Sequence, residues 1–173
     1  DGTKLIDEPH ELIRNDADWE GNLVEGPFIL RRGDWFYLFY SGAGCCGSGC
    51  NYALGVARSH SLFGAWQKNP SNPILMGNDT WKCPGHGSIV QGADGKYFLL
   101  YHAYSVSNSI YTGRQGILDE VTFNTEDWPT INNGNGPSVH ANSPLGIAQD
   151  KTGGSFTENF QGKSLGGGWQ WPQ

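Results

Sequence analysis

The stretch GDWFYLFYSG at residues 33–42 decides the fold, because it returns as DGKYFLLYHA at residues 94–103. In both copies a turn containing Gly and Asp precedes a run of aromatic and aliphatic residues, the pattern of a hairpin turn before a buried strand. The similarity runs without gaps from Glu25–Arg58 to His86–Asp119, since 86 − 25 = 61. We therefore predict two copies of one structural unit. The alternative is a chance similarity of two hairpins within a β-sandwich.

Each copy divides into strands separated by turn residues, with the aromatic runs as second strands. The other predicted segments are Pro27–Arg31 and Ser88–Gln91 (first strands), Tyr52–Arg58 and Arg114–Val121 (third strands), and Trp66–Leu75 and Thr122–Ile131 (fourth segments). A four-stranded antiparallel unit that repeats at this spacing is typical of a propeller blade. The sequence therefore predicts two blades of an all-β protein.

Strand direction decides which polar side chains meet. In an antiparallel sheet, the first strand begins at the end where the second strand ends and the third begins. The groups expected at this end are Glu25, Ser41, the loop 45–52, His86, His102 and Arg114. The first strand of a blade lies innermost, so we expect Glu25 and His86 to face the axial funnel, where propellers bind ligands.

The composition favours a β protein with many turns. The 173 residues include 26 Gly and 9 Pro, with 13% aromatic against 16% charged residues. A formal net charge of −6, without a basic stripe, argues against nucleic acid as a partner. No apolar run reaches the length of roughly 18 residues that a membrane-spanning helix needs, so no membrane partner is expected.

Four cysteines occur, three of them within the Gly-rich loop at 45–50 and the fourth at position 83. They lack a CxxC pair, which makes a zinc site a poor interpretation. We expect a disulfide, either Cys50–Cys83 or a vicinal Cys45–Cys46 bridge, because the two loops that carry these residues lie side by side. The alternative is free thiols packed as small apolar groups. A disulfide would fit an exported protein.

Both ends of the chain fall outside the two units. Residues 1–20 contain the strand-like pieces Lys4–Ile6 and Glu11–Arg14 and are interpreted as the end of a preceding blade. Residues 21–146 hold the two blades, and residues 147–173 are interpreted as a linker and the start of another β domain. Two blades cannot close a ring, so we expect further blades, in another chain or in the rest of the polypeptide.

Motifs spread over both units resemble glycoside hydrolase family 43. They are EGP at 25–27, the hairpin at 33–42, YALGVARS at 52–59, PGHGS at 84–88, YHAY at 101–104, GRQ at 113–115 and WP at 128–129. The resemblance implies a five-bladed β-propeller that cleaves arabinose- or xylose-containing plant polysaccharides and oligosaccharides with inversion. It also implies that residues 147–173 enter the β-sandwich that often follows this propeller.

Three residues take their roles from that resemblance. Glu25 is implied to be the general acid, His86 to lie near a calcium or other ion in the axial channel, usually through water, and Arg114 to contact the sugar in the −1 subsite. Apolar surroundings disfavour the ionised form of a carboxyl, which suits a general acid. The ordinary alternatives are a solvated loop carboxylate, a neutral histidine bonded to the backbone, and an ion pair of Arg114 with Asp119 or Glu120.

Two tryptophans and a histidine receive weaker interpretations. Trp81 is a candidate sugar-stacking platform, because an aromatic face matches the apolar C–H face of a sugar. Trp35 lies at the opposite end of its hairpin and is assigned to packing, while His102 receives no role.

An inverting glycosidase also needs a general base about 6.5–9.5 Å from its acid. The family resemblance implies that this base is an Asp of the first blade, and that a second Asp, on the third blade, orients the acid and tunes its pKa. One repeat before Glu25 falls ahead of Asp1, so both are expected outside this chain, which alone would be inactive. The competing hypotheses are a noncatalytic carbohydrate-binding propeller and a structural scaffold in which Glu25 and Arg114 share no cavity. The expected location is secreted, periplasmic or on the cell surface.

Overall fold

Two four-stranded antiparallel sheets make up the computed structural model, which describes residues 3–4 and 8–141. The first sheet contains β1 (Val24–Arg32), β2 (Trp35–Gly42), β3 (Ala53–Ser59) and β4 (Gln67–Lys68), and the second contains β5 (Trp81–Gln91), β6 (Tyr97–Ser105), β7 (Gln115–Phe123) and β8 (Pro129–Ile131). Neighbouring strands follow chain order within each sheet. The predicted all-β pair of propeller blades is confirmed.

The fourth segments are shorter than the sequence predicts. Trp66–Leu75 is reduced to β4 and a single bridge between Leu54 and Leu75, and only the last three residues of Thr122–Ile131 form β8. Pro70 and Pro73 interrupt the first of these segments, and proline lacks the N–H group that a strand ladder requires. Both blades therefore end in a short outer strand.

The strand pairing corrects the gap-free alignment of the two first strands. Glu25 pairs with Ser41 in the first sheet, whereas Gly85 pairs with His102 in the second. Since Ser41 and His102 are equivalent in the second strands (102 − 41 = 61), the counterpart of Glu25 is Gly85, and the predicted counterpart His86 is wrong by one residue. Five residues lie between the paired residues Gln91 and Tyr97, whereas four lie between the equivalent pair Arg31 and Phe36, and this extra residue causes the shift.

The third strands are displaced in the same way. Tyr40 pairs with Gly55, whereas its counterpart Tyr101 pairs with Ile117. The predicted equivalence of Gly55 and Gly116 is therefore also wrong by one residue. Between the equivalent pairs Gly42–Ala53 and Ala103–Gln115, the second blade contains eleven residues where the first contains ten. The repeat is real, but its offset is 60 residues in the first strands (85 − 25), 61 in the second (102 − 41) and 62 in the third (117 − 55), so a gap-free comparison is in register only at the second strands.

One hydrophobic core lies between the sheets. Side chains at alternate positions of a strand point to the same face, so each sheet contributes one face to this core. The buried members are Tyr37, Phe39, Leu54, Val56, Leu75, Ile89, Leu99, Tyr101, Ala103, Ile117, Val121, Trp128 and Ile131. Each fully buried apolar side chain of this size stabilises the fold by about 1.5–3 kcal/mol.

A cluster of Arg58, Trp35 and Trp128 joins the blades at the end of the sheets where β1 turns into β2. The guanidinium of Arg58 lies 4.3 Å from the ring centre of Trp35 and 3.9 Å from that of Trp128. It also donates a hydrogen bond of 2.6 Å to the carbonyl of Glu126. Cation–π contacts of this kind contribute about 0.5–2 kcal/mol. The packing role predicted for Trp35 is confirmed.

The segment before β1 packs without forming a strand. Glu11–Arg14, predicted to be strand-like, has no strand pairing among the described residues, and Arg14 instead forms an ion pair of 2.6 Å with Glu11. A strand requires a neighbour for its backbone groups, and this segment finds none in the part of the chain that the structure describes. Nothing in the structure tests its assignment to a preceding blade.

Glu20 anchors this segment to the first sheet, at the end of a 3₁₀ turn (Asp18–Glu20). Its buried carboxylate accepts hydrogen bonds from Tyr40 (2.6 Å), Lys68 (2.6 Å) and the backbone N–H groups of Asp16 and Ala17. Burial acts to raise the pKa of Glu20, but the hydrogen bonds from Lys68, Tyr40 and Ala17 hold it below its ordinary value. Glu20 is therefore a paired structural charge.

All four cysteines are paired, as Cys45–Cys46 and Cys50–Cys83. Both of the alternative disulfides predicted from the loop positions are thus present together, and the free-thiol alternative is wrong. The predicted linker and second β domain at 147–173 lie outside the described residues. Within residues 3–4 and 8–141, no helix is long and apolar enough to cross a membrane.

We expect the two disulfides to differ in their contribution to stability. Cys50 and Cys83 are 33 residues apart, so their bridge constrains a long loop in the unfolded chain and should contribute about 3–4 kcal/mol. Cys45 and Cys46 are adjacent, and their bridge constrains almost nothing. The measurement is the free energy of unfolding in urea for the two double Cys→Ala variants, made in the protein with its remaining blades. Equal losses in both variants would contradict this account.

Candidate active site

The rim of the two sheets is the end at which β1 and β5 begin and β2 and β6 end. A group of five side chains, the rim site, is connected there by hydrogen bonds and ring contacts: Glu25, Tyr52, His86, His102 and Arg114. Three of them, Glu25, His86 and Arg114, are predicted site residues. The structure therefore brings together the groups that the strand directions placed at one end.

Glu25 is held by a tyrosine. The hydroxyl of Tyr52 donates a hydrogen bond of 2.7 Å to Oε1 of Glu25, and Tyr52 is only 2% exposed. Burial, and then the hydrogen bond to Glu25, raise the pKa of Tyr52 well above its usual range. The hydroxyl therefore stays protonated at neutral pH and acts as a donor.

The ring of Tyr52 lies against the second blade. A Cβ atom at Gly85 would overlap the Tyr52 ring and would lie 2.8 Å from Oγ of Ser41, so only glycine fits at position 85. The other contact is with His102, whose ring is parallel to that of Tyr52 at 5.9 Å. Tyr52 also belongs to a small buried cluster with Cys83 and Tyr104.

His86 lies beside Glu25 on the neighbouring first strand. A Cβ atom at Gly26 would lie 3.0 Å from Cγ of His86, which puts β1 and β5 in contact at the rim. The backbone N–H of His86 donates a hydrogen bond of 2.8 Å to Oγ of Ser41, and the side chain is exposed. His86 has a left-handed backbone, with φ of 54°, like its counterpart Gly26 at 60°.

Arg114 is paired with His102. Nη1 of Arg114 lies 3.1 Å from Nε2 of His102. Burial, and then the charges of Arg114 and His86, lower the pKa of His102, so its imidazole is neutral at neutral pH. Nε2 must then accept from Arg114, which leaves the proton on Nδ1, a buried atom without a hydrogen-bond partner among the described residues. His102 thus orients the guanidinium.

The ion pair considered for Arg114 does not form. Asp119 is buried and accepts the hydroxyl of Tyr101 at 2.6 Å, while Glu120 lies 3.4 Å from Lys96. Both carboxylates have other partners because they sit along β7, away from the rim. Arg114 instead shares an electrostatic environment with Glu25, since both charges act on Tyr52 and on His102. This proximity argues against the structural-scaffold hypothesis.

Trp81 stands apart from the rim site. Its ring packs against the core, and its indole N–H donates a hydrogen bond of 3.0 Å to the carbonyl of Ser138. No hydrogen bond or ring contact joins it to the five rim residues within the described part of the chain. Its role as a sugar platform stays a prediction.

The sequence places Tyr52 and His102 at this end of the sheets but indicates no role for either in the site. Tyr52 was treated as the first residue of a strand, and the one available signal was its place at the start of YALGVARS, directly after the cysteine loop. The position of its ring depends on how the two blades pack, because the ring contacts Gly85 and His102 of the second blade.

The described residues offer little to a metal ion directly. No three His, Cys, Asp or Glu side chains converge there in a way that could hold one. His86 is a single exposed imidazole, which fits an ion contacted through water but does not by itself form a site.

The chain belongs to glycosyl hydrolase family 43. The sequence profile described as "Glycosyl hydrolases family 43" matches residues 1–129, which include all five residues of the rim site. The resemblance drawn from the motifs is confirmed.

Curated relatives match over the same region. The chain is 30% identical over 137 residues to xylosidase/arabinosidase 43B of Humicola insolens, covering 75% of the chain and 24% of that protein. It is 32% identical over 129 residues to the extracellular exo-α-(1→5)-L-arabinofuranosidase ArbA of Cellvibrio japonicus, covering 69% and 36%. The chain therefore spans about a quarter to a third of the length of these relatives.

Solved structures agree with the fold. A thermostable family-43 glycoside hydrolase matches with a TM-score of 0.70 and 26% identity, over 84% of this chain and 47% of that one. An α-L-arabinanase of Cellvibrio cellulosa in complex with arabinohexaose matches with a TM-score of 0.54 and 31% identity, over 62% and 36%. The five-bladed propeller is the fold to which the two sheets belong.

We expect Gly85→Ala to destabilise the protein, because the added Cβ would displace the ring of Tyr52. Overpacking of this kind costs about 1–3 kcal/mol. Gly116→Ala is the matched control, since a Cβ at Gly116 of β7 would meet no atom within 4 Å and should change stability by less than about 1 kcal/mol. Urea unfolding of the protein with its remaining blades measures both. Similar effects of the two substitutions would disprove the tight packing of Tyr52 on Gly85.

Proposed function

We propose that the protein is a glycoside hydrolase that acts by inversion on arabinose- or xylose-containing plant polysaccharides and oligosaccharides, with Glu25 as general acid. The observation that carries the proposal is the position of Glu25 at the rim. Tyr52 donates a hydrogen bond to one of its carboxyl oxygens, and the charges of Glu25 and Arg114 both act on Tyr52. Family membership supports the reaction class. The relatives named above support the substrate class.

In the proposed reaction, Glu25 gives its proton to the leaving-group oxygen as the glycosidic bond breaks. Arg114 binds the sugar in the −1 subsite. The neutral His102 keeps the guanidinium of Arg114 in place by accepting its hydrogen bond of 3.1 Å. The base that activates water would come from the remaining blades. An inverting site would place it about 6.5–9.5 Å from the carboxyl of Glu25.

The remaining blades are the partner that this proposal requires. The outer face of the second sheet carries Val90 and Leu100, which are 52% and 55% exposed. A blade normally buries such side chains against its neighbour in the ring. The two disulfides support a protein that works in an oxidising, extracellular location, as do the names of relatives described as extracellular.

The channel ion is a separate part of the proposal. We expect His86 to face a calcium or other ion through water, because its exposed imidazole lies on an innermost strand. When bound, such an ion supplies positive charge near the reacting sugar. In the complete protein, calcium added after treatment with a chelator should raise the melting temperature. His86→Ala should weaken this response, while His60→Ala, at the opposite end of the first sheet, should leave it intact. No response to calcium in the unchanged protein would refute this part.

The acid role of Glu25 is tested by Glu25→Gln in the complete protein. The amide keeps the shape but donates no acidic proton, so turnover of an oligosaccharide should fall by about 10²–10⁴-fold while binding persists. A 4-nitrophenyl glycoside should lose much less, because nitrophenolate leaves without a proton. The measurement is kcat for both substrates, with α-L-arabinofuranosides and β-D-xylosides compared. Equal losses on both substrates would show that Glu25 has a binding role and is not the general acid.

A further inference from the structure

Three tyrosines of the two blades use their hydroxyl groups in the same way. Each donates a hydrogen bond to a carboxylate: Tyr40 to Glu20 (2.6 Å), Tyr101 to Asp119 (2.6 Å) and Tyr52 to Glu25 (2.7 Å). The first two acceptors are buried, at 0% and 1% exposure, and lie outside the rim site. Only Tyr52 donates to a carboxyl that can reach a ligand.

We propose that Tyr52 is a positioning residue that fixes the carboxyl of Glu25 and leaves its proton on Oε2. The proposal rests on the acid role proposed above for Glu25. The hydroxyl of Tyr52 has one proton, which it commits to Oε1. In a neutral carboxylic acid the oxygen that accepts a hydrogen bond is the carbonyl oxygen, so the acidic proton belongs to the other oxygen. Glu25 therefore presents one oxygen, in one orientation, to the leaving group.

This arrangement serves the cleavage of the glycosidic bond. The proton moves from Oε2 of Glu25 to the leaving-group oxygen, which also takes the electron pair of the breaking glycosidic C–O bond. A water molecule forms the new bond to carbon and loses its proton to the base of the other blades. Glu25 is left as a carboxylate, and the hydrogen bond from Tyr52 becomes charge-assisted and therefore stronger.

Tyr52 is itself held on several sides. Its ring occupies the space that a side chain at position 85 would need, and it is parallel to the ring of His102. The Cys50–Cys83 disulfide fixes the chain two residues before Tyr52 to the strand that carries Gly85. A side chain enclosed in this way has few other positions. The second blade therefore sets the direction from which Glu25 is hydrogen-bonded.

The test compares Tyr52→Phe with Tyr101→Phe in the complete protein. Both substitutions remove one hydroxyl that donates to a carboxylate, but only the first removes it from the rim. We measure kcat on an oligosaccharide and on the 4-nitrophenyl glycoside of the same sugar, together with urea unfolding. Tyr52→Phe should lower kcat on the oligosaccharide by about 10–100-fold, since misplacing a catalytic group by about 1 Å costs this much, and on the nitrophenyl glycoside by less than about threefold.

Tyr101→Phe should leave the ratio of the two kcat values unchanged, whatever it does to stability. Gly85→Ala moves the Tyr52 ring without removing its hydroxyl, so it should change the ratio in the same direction as Tyr52→Phe. It tests the positioning role if the Tyr52→Phe protein does not fold. An unchanged ratio in a folded Tyr52→Phe protein would overturn the proposal. If Glu25→Gln alone changes the ratio, the acid role stands and the positioning role fails. If Glu25→Gln leaves both rates intact, both proposals fail.

Discussion

The ring of Tyr52 can lie between the two blades only because position 85 has no side chain, and this contact sets the geometry of the rim. The hydroxyl of Tyr52 then reaches Glu25 on β1, while the ring faces His102 on β6. His102 in turn receives the hydrogen bond of Arg114. An acid and a cation that belong to different sheets are thus connected through one aromatic side chain, and their separation follows from how closely the blades approach.

The sequence was sufficient to predict the repeat, the two blades and the end of the sheets where polar groups meet. These features follow from alternating strand patterns and from strand direction, which are local properties. The exact pairing was not predictable, because two loops of the second blade are one residue longer and a gap-free comparison hides such differences. Both disulfides were considered, but as alternatives, since adjacency of loops does not say how many bridges form.

The candidate site was predicted in part. Glu25, His86 and Arg114 were taken from the family resemblance, and the structure places them together. Tyr52 and His102 were placed at this end of the sheets but given no role, because the contact between their rings crosses from one blade to the other and depends on side-chain packing that no spacing in the sequence records. The ion pair considered for Arg114 failed for a related reason. Asp119 is close in sequence but is already the acceptor of Tyr101.

The left-handed backbone of His86 marks a position at which the side chain reduces the stability of the fold. Its counterpart Gly26 adopts the same conformation without steric cost, whereas a residue with a Cβ loses roughly 1–2 kcal/mol there. Ala43 and Cys83, also close to the rim, have positive φ values as well. Glycine would relieve this strain at positions 43 and 86, but at position 83 it would break the Cys50–Cys83 disulfide, and at position 86 it would remove the imidazole. Thermal stability and an exposed imidazole at the rim are therefore competing demands on a single residue.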